Sequence, residues 1–286
     1  MGTPSSSAVA VITAVRNGEA TLERTIRSVL AQTHPRVEHI VVDGASTDGT
    51  QAILRRHDGR VRWISEPDRG LYEAMNKGIA LVTDPEAYVV FLNADDVFHA
   101  DDTVEQVLAA TGGEDFLYGR LERHDAELDY RDVIGSEVTA RDLVYGMKCH
   151  HQAMLCRRRV FDRVGTFDLR YRLAADYDWA VRIFLRKDVS RRFVPLVVAS
   201  MRRGGLSDRR YLASVRERWR IVRRHYPAID LLRYSAWTAF GDYLRYGLQQ
   251  VLKRLGLLNR ARDAQRRMRA RRASVTPIDP MERRGE

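Results

Sequence analysis

Two pairs of carboxylates stand close together in the stretch VVFLNADDVFHADD, residues 89–102. Asp95 and Asp96 come directly after an apolar, strand-forming run. Adjacent carboxylates near the buried end of a strand repel each other and are costly to desolvate. A divalent cation removes that cost, and oxygen ligands at a strand end suit Mg²⁺ or Mn²⁺. Asp95 and Asp96 are therefore candidate metal ligands, and a solvated acidic turn is the alternative.

The second pair has a structural explanation. Asp102 lies three residues before Glu105 and just ahead of an apolar-periodic segment, which is the spacing of a capping box. We expect Asp101 and Asp102 to serve a helix start and to take no part in chemistry.

A carboxylate also ends another predicted strand, in VVDGASTDGT, residues 41–50. Asp43 is followed by a Gly/Ser/Thr turn that leads into a helix. The turn offers backbone N–H groups, and the carboxylate can accept hydrogen bonds from a base or a ribose. An ordinary strand-to-helix turn is the alternative.

Two further acidic segments complete the set of candidates. In SEPDRGLYEAMNKG a bend carries Asp68 and Arg69, for which surface charge is the alternative explanation. In LAADYDW, Asp176 and Asp178 precede an apolar helix start, so either one could cap that helix. An acid placed opposite a metal site could instead act as a general base.

The elements that position these residues alternate along the first half of the chain. Continuous apolar strands interleaved with amphipathic helices predict an α/β fold with a mostly parallel central sheet and helices on both faces. Right-handed crossovers then place a ligand crevice at the carboxyl ends of the strands, where Asp43 and the 93–96 group lie. The predicted strands are 8–15, 37–43, 61–64 and 87–93, and the predicted helices are 19–32, 48–57 and 70–82.

The second half is less regular. Residues 114–123 and 127–134 predict a hairpin, 151–157 and 190–201 predict strands, and 177–186 predicts a helix. We expect a disordered N-terminus at 1–7, the main domain at 8–207, a basic helical extension at 208–272 and a disordered tail at 273–286.

Charge is distributed unevenly over the 286 residues. Residues 1–207 carry 28 basic and 30 acidic side chains, whereas residues 208–286 carry 20 and 8. The near-neutral body argues against a nucleic-acid partner. With neither a secretory signal nor a membrane-spanning run in the sequence, we expect a cytoplasmic protein. The basic C-terminal helices favour peripheral contact with the anionic inner face of a membrane, and a helix that packs against the domain is the alternative.

Taken together, the segments resemble the family 2 glycosyltransferases of GT-A fold over about residues 8 to 207. The segments occur in the family's order: ITAVRNGEATLERTIRSVLAQT, VVDGASTDGT, SEPDRGLYEAMNKGI, FLNADD, HQAMLCRRRVFDRVGTFD, AADYDW and GGLS. The sequence looks most like the branch that builds bacterial cell-surface polysaccharides and glycolipids, including mycobacterial phenolic glycolipids.

The resemblance implies a nucleotide-diphosphate sugar donor, a divalent cation (Mn²⁺ or Mg²⁺) at Asp95 with Asp96 beside it, and a glycan or lipid-linked acceptor. Asp176 would be the base, although Ala175 stands where the family has Glu, and Asn93 stands where the family commonly has Asp. The implied nucleotide-sugar-binding residues are Thr13, Ala14, Val15, Asp43, Asp68, Arg69, Gly70, Asn76, Asn93, Ala94 and Asp95. The implied acceptor or loop residues are His151, Gln152, Asp178, Gly205 and Ser207.

The expected reaction is inverting and metal-dependent, because one base and direct displacement need no covalent intermediate. Two alternatives stay open at this point. A nucleotidyltransferase acting on sugar phosphates also uses metal-bound carboxylates on an α/β fold, but it would usually show a Gly-rich loop where this chain has VRNGEA. The second alternative is a non-catalytic protein that binds nucleotide sugars.

Overall fold

A computed structural model describes residues 7–125, 130–202 and 210–235, with Gly241, Leu244, Gly247, Leu248 and Val251 beyond them. The chain forms two compact units, Met1–Tyr234 and Ser235–Glu286. None of the helices in the described part has the length and apolar composition needed to cross a bilayer.

The first unit is built on a mixed sheet whose first four strands are parallel. The strand order is β3-β2-β1-β4-β8-β6-β9-β5, and β7 pairs with β6 outside this path. The predicted α/β fold with a mostly parallel central sheet is confirmed. The strands are β1 Val9–Val15, β2 Val37–Asp43, β3 Arg62–Ser65, β4 Tyr88–Phe91, β5 Val97–Phe98, β6 Phe116–Asp125, β7 Tyr130–Ile134, β8 Met154–Arg157 and β9 Arg191–Arg202.

The helices cover both faces of the sheet, as the alternation of strands and helices predicts. The helices are α1 Leu22–Leu30, α2 Thr50–Arg56, α3 Leu71–Leu81, α4 Thr103–Ala109, α5 Arg158–Val164, α6 Ala175–Leu185, α7 Tyr211–His225 and α8 Ala228–Tyr234. Short 3₁₀ turns span Asp142–Tyr145 and His151–Ala153.

Strand β1 lies between two hydrophobic cores, one on each face of the sheet, which explains why its residues are mostly apolar. All seven of its residues are buried. Successive strand side chains point to opposite faces, so Val11 joins the core that contains Val29 of α1, and Ile12 joins the core that contains Met75 of α3. Fully burying an aliphatic side chain of this size contributes about 1.5–3 kcal/mol. A strand buried on both faces is therefore rigid enough to position residues at its carboxyl end.

The parallel register aligns the carboxyl ends of the strands. Val15 of β1 lies opposite Asp43 of β2, and Asp43 lies opposite Ser65 of β3. The turn after β4 lies on the other side of β1, since β1 pairs in parallel with both β2 and β4. One edge of the sheet thus brings the predicted crevice residues together.

Two local predictions need correction. The segment 151–157, predicted as a strand, begins with a 3₁₀ turn at His151–Ala153, and only Met154–Arg157 pairs in the sheet. The capping box is also wrong, because no side-chain cap bond forms at Asp102. Its carboxylate accepts from Gln106 at 2.7 Å, and Glu105 accepts from Thr33 at 2.7 Å. Both acids still have local structural roles.

Candidate active site

A buried acidic turn follows β4. The N–H of Asp96 donates to the carbonyl of Asn93 at 3.0 Å and closes the turn. The Asp96 carboxyl is almost fully buried, and its Oδ2 accepts from Asn93 Nδ2 and from Gln152 Nε2, each at 3.0 Å. Burial, together with the neighbouring charge of Asp95, raises the pKa of Asp96 to about 6.

Asp95 differs from Asp96 in its surroundings. Its side chain is partly exposed, and within the described part of the chain no group hydrogen-bonds its carboxylate. The two acids therefore differ in their hydrogen bonding: the Asp96 carboxyl is held by two side-chain amides inside the protein, and the Asp95 carboxylate oxygens are open to a ligand.

Helix α1 holds the backbone of the acidic turn. The hydroxyl of Thr25 donates to the carbonyl of Asp96 at 2.7 Å, and Arg24 Nη2 donates to the carbonyl of Asp95 at 2.7 Å. Sequence reasoning missed both residues, because the helical periodicity of this segment identifies only its apolar face. Thr25 is fully buried, and it is the polar exception on that face.

The predicted base lies in the first turn of α6. The carboxylate of Asp176 accepts from Tyr72 Oη and from the N–H of Tyr177 on Oδ1, at 2.9 and 2.8 Å. Its Oδ2 lies 2.9 Å from His151 Nδ1. Because a carboxylate only accepts, Nδ1 carries the hydrogen of that bond.

These bonds keep Asp176 ionised. Burial by itself would raise its pKa, but the hydrogen bonds and charge of His151 and the hydroxyl of Tyr72 outweigh that effect, and the pKa lies below the usual aspartate value. Burial and the adjacent Asp176 raise the pKa of Tyr72 well above its ordinary value, so its hydroxyl stays a donor. About 18% of the Asp176 side chain remains exposed, which leaves it accessible to a substrate.

A continuous chain of polar contacts joins Asp176 to the acidic turn. His151 Nε2 lies 3.4 Å from Asn93 Oδ1, and Asn93 Nδ2 donates to Asp96. The amide at position 93 can face a ring nitrogen with its oxygen and a carboxylate with its nitrogen, whereas an aspartate there would offer no donor to Asp96. The structure thus brings Asn93, Asp96, His151 and Asp176 into one site.

Asp43 lies at the neighbouring strand end but is fully buried. The N–H of Ser46 donates to both of its oxygens at 3.2 Å, the Ser46 hydroxyl donates to Oδ1, and the Ser65 hydroxyl donates to Oδ2 at 2.6 Å. These four contacts match the capacity of a carboxylate. The base of a nucleotide could bond Asp43 only by displacing one of these serine contacts. The predicted hydrogen bond between Asp43 and a nucleotide base stays a prediction.

Asp68 packs directly against the turn after Asp43. A Cβ added to Gly44 would lie 2.3 Å from Asp68 Oδ2, so only glycine permits this approach. Asp68 Oδ1 accepts from the N–H of Gly70, whose φ of 135° is one that L side chains rarely adopt. Arg69 is 76% exposed and pairs with Glu73. The bend predicted around Gly70 is therefore present and lies beside Gly44.

Several other predicted residues have structural partners. Thr13 is fully buried, and its hydroxyl lies 2.9 Å from His39 Nε2, so its predicted place in the nucleotide pocket stays a prediction. Ala14 and Val15 are buried at the end of β1, and Ala94 packs beside Val15.

The amide of Asn76 is engaged with the backbone of Phe167. Its Nδ2 donates to the Phe167 carbonyl at 2.9 Å, and its Oδ1 accepts from the Phe167 N–H at 3.0 Å. Both ends of the amide are therefore occupied, which gives Asn76 a part in fixing the loop before α6. Its predicted contact with a nucleotide sugar stays a prediction.

Asp178 is separated from the site although it lies two residues from Asp176. Its carboxylate is 1% exposed, with Oδ2 accepting from Arg182 at 2.8 Å and Oδ1 lying 2.8 Å from His225. The buried ion pair gives Asp178 a structural partner on each oxygen. Gly205 and Ser207 lie outside the described residues.

Among the residues that the structure describes, no three His, Cys, Asp or Glu side chains converge as a protein-only metal cage. Asp95 and Asp96 are a pair of hard oxygen donors. Mg²⁺ is usually bound through one or two carboxylates together with substrate phosphates and water, and such a site needs no third protein acid.

The fold and its acidic strand ends define the class as glycosyltransferase of GT-A type. Residues 10–177 match the family model for glycosyl transferase family 2. The chain belongs to this family.

Two relatives found by sequence similarity carry glycosyltransferase names. A PGL/p-HBAD biosynthesis glycosyltransferase of Mycobacterium bovis is 33% identical over 211 residues, covering 69% of this chain and 78% of that protein. The putative teichuronic acid biosynthesis glycosyltransferase TuaG of Bacillus subtilis is 40% identical over 103 residues, covering 35% of this chain and 40% of TuaG.

Two solved structures share the fold at low sequence identity. Staphylococcus aureus TarS 1–349, in complex with UDP-GlcNAc, has a TM-score of 0.60 at 16% identity, covering 79% of this chain and 71% of that one. The mannosyltransferase PcManGT of Pyrobaculum calidifontis, in complex with GDP-Man and Mn²⁺, has a TM-score of 0.61 at 19% identity, covering 96% and 78%.

Proposed function

We propose that this protein moves a sugar from a nucleotide-diphosphate sugar to a hydroxyl of a glycan or lipid-linked acceptor, with inversion at the anomeric carbon, in the synthesis of a bacterial surface polysaccharide or glycolipid. The observation that supports this most is the polar chain from Asp176 through His151 and Asn93 to the acidic turn. It links a carboxylate suited to proton removal with carboxylates suited to a metal–diphosphate. The M. bovis relative, named for PGL/p-HBAD biosynthesis, and TuaG, named for putative teichuronic acid biosynthesis, support the acceptor class.

Asp95 and Asp96 would hold the divalent cation. The carboxylate of Asp95 offers oxygen ligands of the kind that hard divalent cations prefer. The pKa of the buried Asp96 is raised, and a nearby cation would stabilise its ionised form. When bound, the cation supplies charge stabilisation to the departing diphosphate. The Mn²⁺ present with PcManGT supports this assignment.

Asp176 would be the general base. Its lowered pKa keeps the carboxylate ionised at neutral pH, ready to take the proton from an acceptor hydroxyl. The hydroxyl oxygen then attacks the anomeric carbon as the bond to the diphosphate breaks. His151 and Tyr72 hold the carboxylate in place through the bonds described above, so the base is oriented before the acceptor arrives.

Product analysis tests the reaction class. Incubation with UDP-, GDP- and dTDP-sugars, Mn²⁺ and a panel of glycan and lipid-linked acceptors should release a nucleoside diphosphate, and NMR of the glycosylated acceptor should show the anomeric configuration inverted. Release of pyrophosphate would indicate a nucleotidyltransferase, and retained configuration would overturn the single-base mechanism. A thermal-shift screen of the same sugars with and without Mn²⁺ selects the donor, since a bound ligand stabilises the folded state.

The face of α7 supports peripheral membrane contact as part of this function. Arg216, Arg220 and Arg223 are exposed and lie at helical spacings of four and three, so they share one side of the helix. On α8, Ile229 and Leu232 are 54% and 66% exposed. Exposed arginines on one helix and exposed aliphatic side chains on the next suit an anionic lipid surface, at roughly 1 kcal/mol per basic residue.

Vesicle sedimentation tests the membrane contact. The full chain should bind vesicles containing phosphatidylglycerol at low salt and should not bind phosphatidylcholine alone. Replacing Arg216, Arg220 and Arg223 with serine should weaken binding about 100-fold, from three contacts of that size. Unchanged binding by the triple variant would show that the α7 face does not contact lipid.

A further inference from the structure

The segment just before α6 is held by a carboxylate from a distant helix. Glu217 of α7 accepts three successive backbone N–H groups: Arg172 on Oε1 at 3.0 Å, and Leu173 and Ala174 on Oε2 at 2.8 and 3.0 Å. The donors lie 43–45 residues earlier in the sequence. Three N–H groups that converge on one carboxylate anchor the backbone of residues 172–174 to α7.

This anchor lies directly before a helix that has no side-chain cap. Ala174 is the N-cap residue of α6, and no side-chain cap bond forms there. The first N–H groups of a helix have no intrahelical partner, and an anion near them is favourable because of the helix dipole. Glu217 supplies that anion from α7, whose Ile221 and Val222 are fully buried in the core shared with α6.

The anchored turn carries the proposed base. Asp176 is the second residue of α6, and its bonds to Tyr72 and His151 require the first turn to stay in place. A misplacement of about 1 Å at a reacting group can cost roughly 100-fold in rate. Within the described residues, Glu217 does not hydrogen-bond Asp176, and its contact with the start of α6 is made through the backbone N–H groups of residues 172–174. Its charge also contributes to the raised pKa of Tyr72, so Glu217→Asp, which keeps the charge, separates position from charge.

We propose that Glu217 is a positioning residue for the reaction: by binding the N–H groups of residues 172–174 it fixes the start of α6 and so the carboxylate of Asp176. The inference rests on the proposed function, in which Asp176 is the base. Loss of the anchor would loosen the bonds from His151 and Tyr72, and those bonds are what hold the pKa of Asp176 down.

The test compares Glu217→Gln with Ala213→Gly in the full chain. The glutamine keeps the size of Glu217 but brings an N–H₂ group against backbone donors. Ala213 is an exposed residue of the same helix, and glycine at this position loosens the helix without removing a side-chain hydrogen bond. It therefore controls for general loosening of α7. The readouts are kcat, the donor KM and the acid limb of the kcat–pH profile.

For Glu217→Gln we expect kcat to fall about 10- to 100-fold, an unchanged donor KM, and an acid limb displaced to higher pH. The control variant should show native values for kcat, the donor KM and the position of the acid limb. The milder Glu217→Asp should show the same pattern in smaller size, and it replaces the glutamine variant if that protein does not fold. A fall in kcat with an unmoved acid limb, or no fall in kcat, would overturn the positioning role.

Asp176→Asn is measured in parallel to separate this inference from the proposed function. If Asp176→Asn turns over normally, the assigned base is wrong, and Glu217 has no base to position. If Asp176→Asn is inactive but the acid limb of Glu217→Gln stays where it was, only the role of Glu217 is refuted.

Discussion

Replacing His151 with glutamine removes the donor that holds Oδ2 of Asp176. In the native protein Nδ1 of His151 lies 2.9 Å from that oxygen, and 11% of the His151 side chain is exposed. A glutamine amide reaches the position of Nε2 rather than Nδ1, so the contact toward Asn93 can persist while the bond to Asp176 is lost. The variant therefore isolates one bond.

The expected shift follows from the nature of that bond. A hydrogen bond to a charged group contributes about 1.5–3 kcal/mol, and one pKa unit corresponds to about 1.4 kcal/mol. Since the bond from His151 lowers the pKa of Asp176, its loss should raise that pKa. The base works as a carboxylate, so the acid limb of the kcat–pH profile should move to higher pH, with kcat at its optimum reduced about 10- to 100-fold.

Two further variants sharpen the assay, which follows nucleoside diphosphate release from pH 4 to 9 under saturating donor. His151→Asn can place an amide donor near the position of Nδ1 and should recover much of the loss. His150→Gln changes the adjacent histidine, whose pKa burial lowers to about 4, and should leave the profile in place. An acid limb that is identical in the native protein and in His151→Gln would refute the reasoning.

Two other predictions concern stability. The pKa of Asp96, about 6, is raised above the unfolded value of about 3.9, so the metal-free protein should lose stability as pH rises through this window. Mn²⁺ should therefore raise Tm more at about pH 7.5 than at about pH 5; an equal gain at both values, or an equal gain in Asp95→Asn, would contradict the metal assignment. Asp178→Asn should lower the free energy of unfolding by about 3–5 kcal/mol, because Arg182 and His225 lose a buried partner, yet leave the acid limb of the folded enzyme unchanged. Chemical denaturation and the kcat–pH profile check this pair, and a shifted limb would connect Asp178 to the chemistry.

The parts of this fold that follow from periodicity could be predicted from the sequence. The parallel strands and their helices appear within a few residues of the predicted bounds, because buried strands and amphipathic helices each leave a repeating apolar pattern. The position of Asp43 and the acidic turn at strand ends follows from the same pattern. The GT-A fold and the family were implied by the resemblance of the quoted segments, and the family model and the solved structures confirm them.

The details of the site depend on contacts between distant residues, and no local pattern encodes these. Thr13 sits at the predicted strand end, yet strand alternation turns its hydroxyl toward His39. Tyr72 reaches Asp176 across 104 positions of sequence, and Glu217 reaches the start of α6 from α7. An uncapped helix start at Ala174 is the one sequence signal that could have prompted a search for such an anchor.

The most direct measurement compares donor binding and turnover in Asp176→Asn and in the native enzyme. The account predicts that the variant binds the nucleotide sugar with Mn²⁺ as tightly as the native protein does, because the acidic turn is intact. Its kcat should fall about 100- to 10,000-fold, the usual contribution of a general base. Native turnover in the variant, or loss of donor binding together with activity, would contradict the assignment of proton removal to Asp176 and of diphosphate binding to the turn at Asp95.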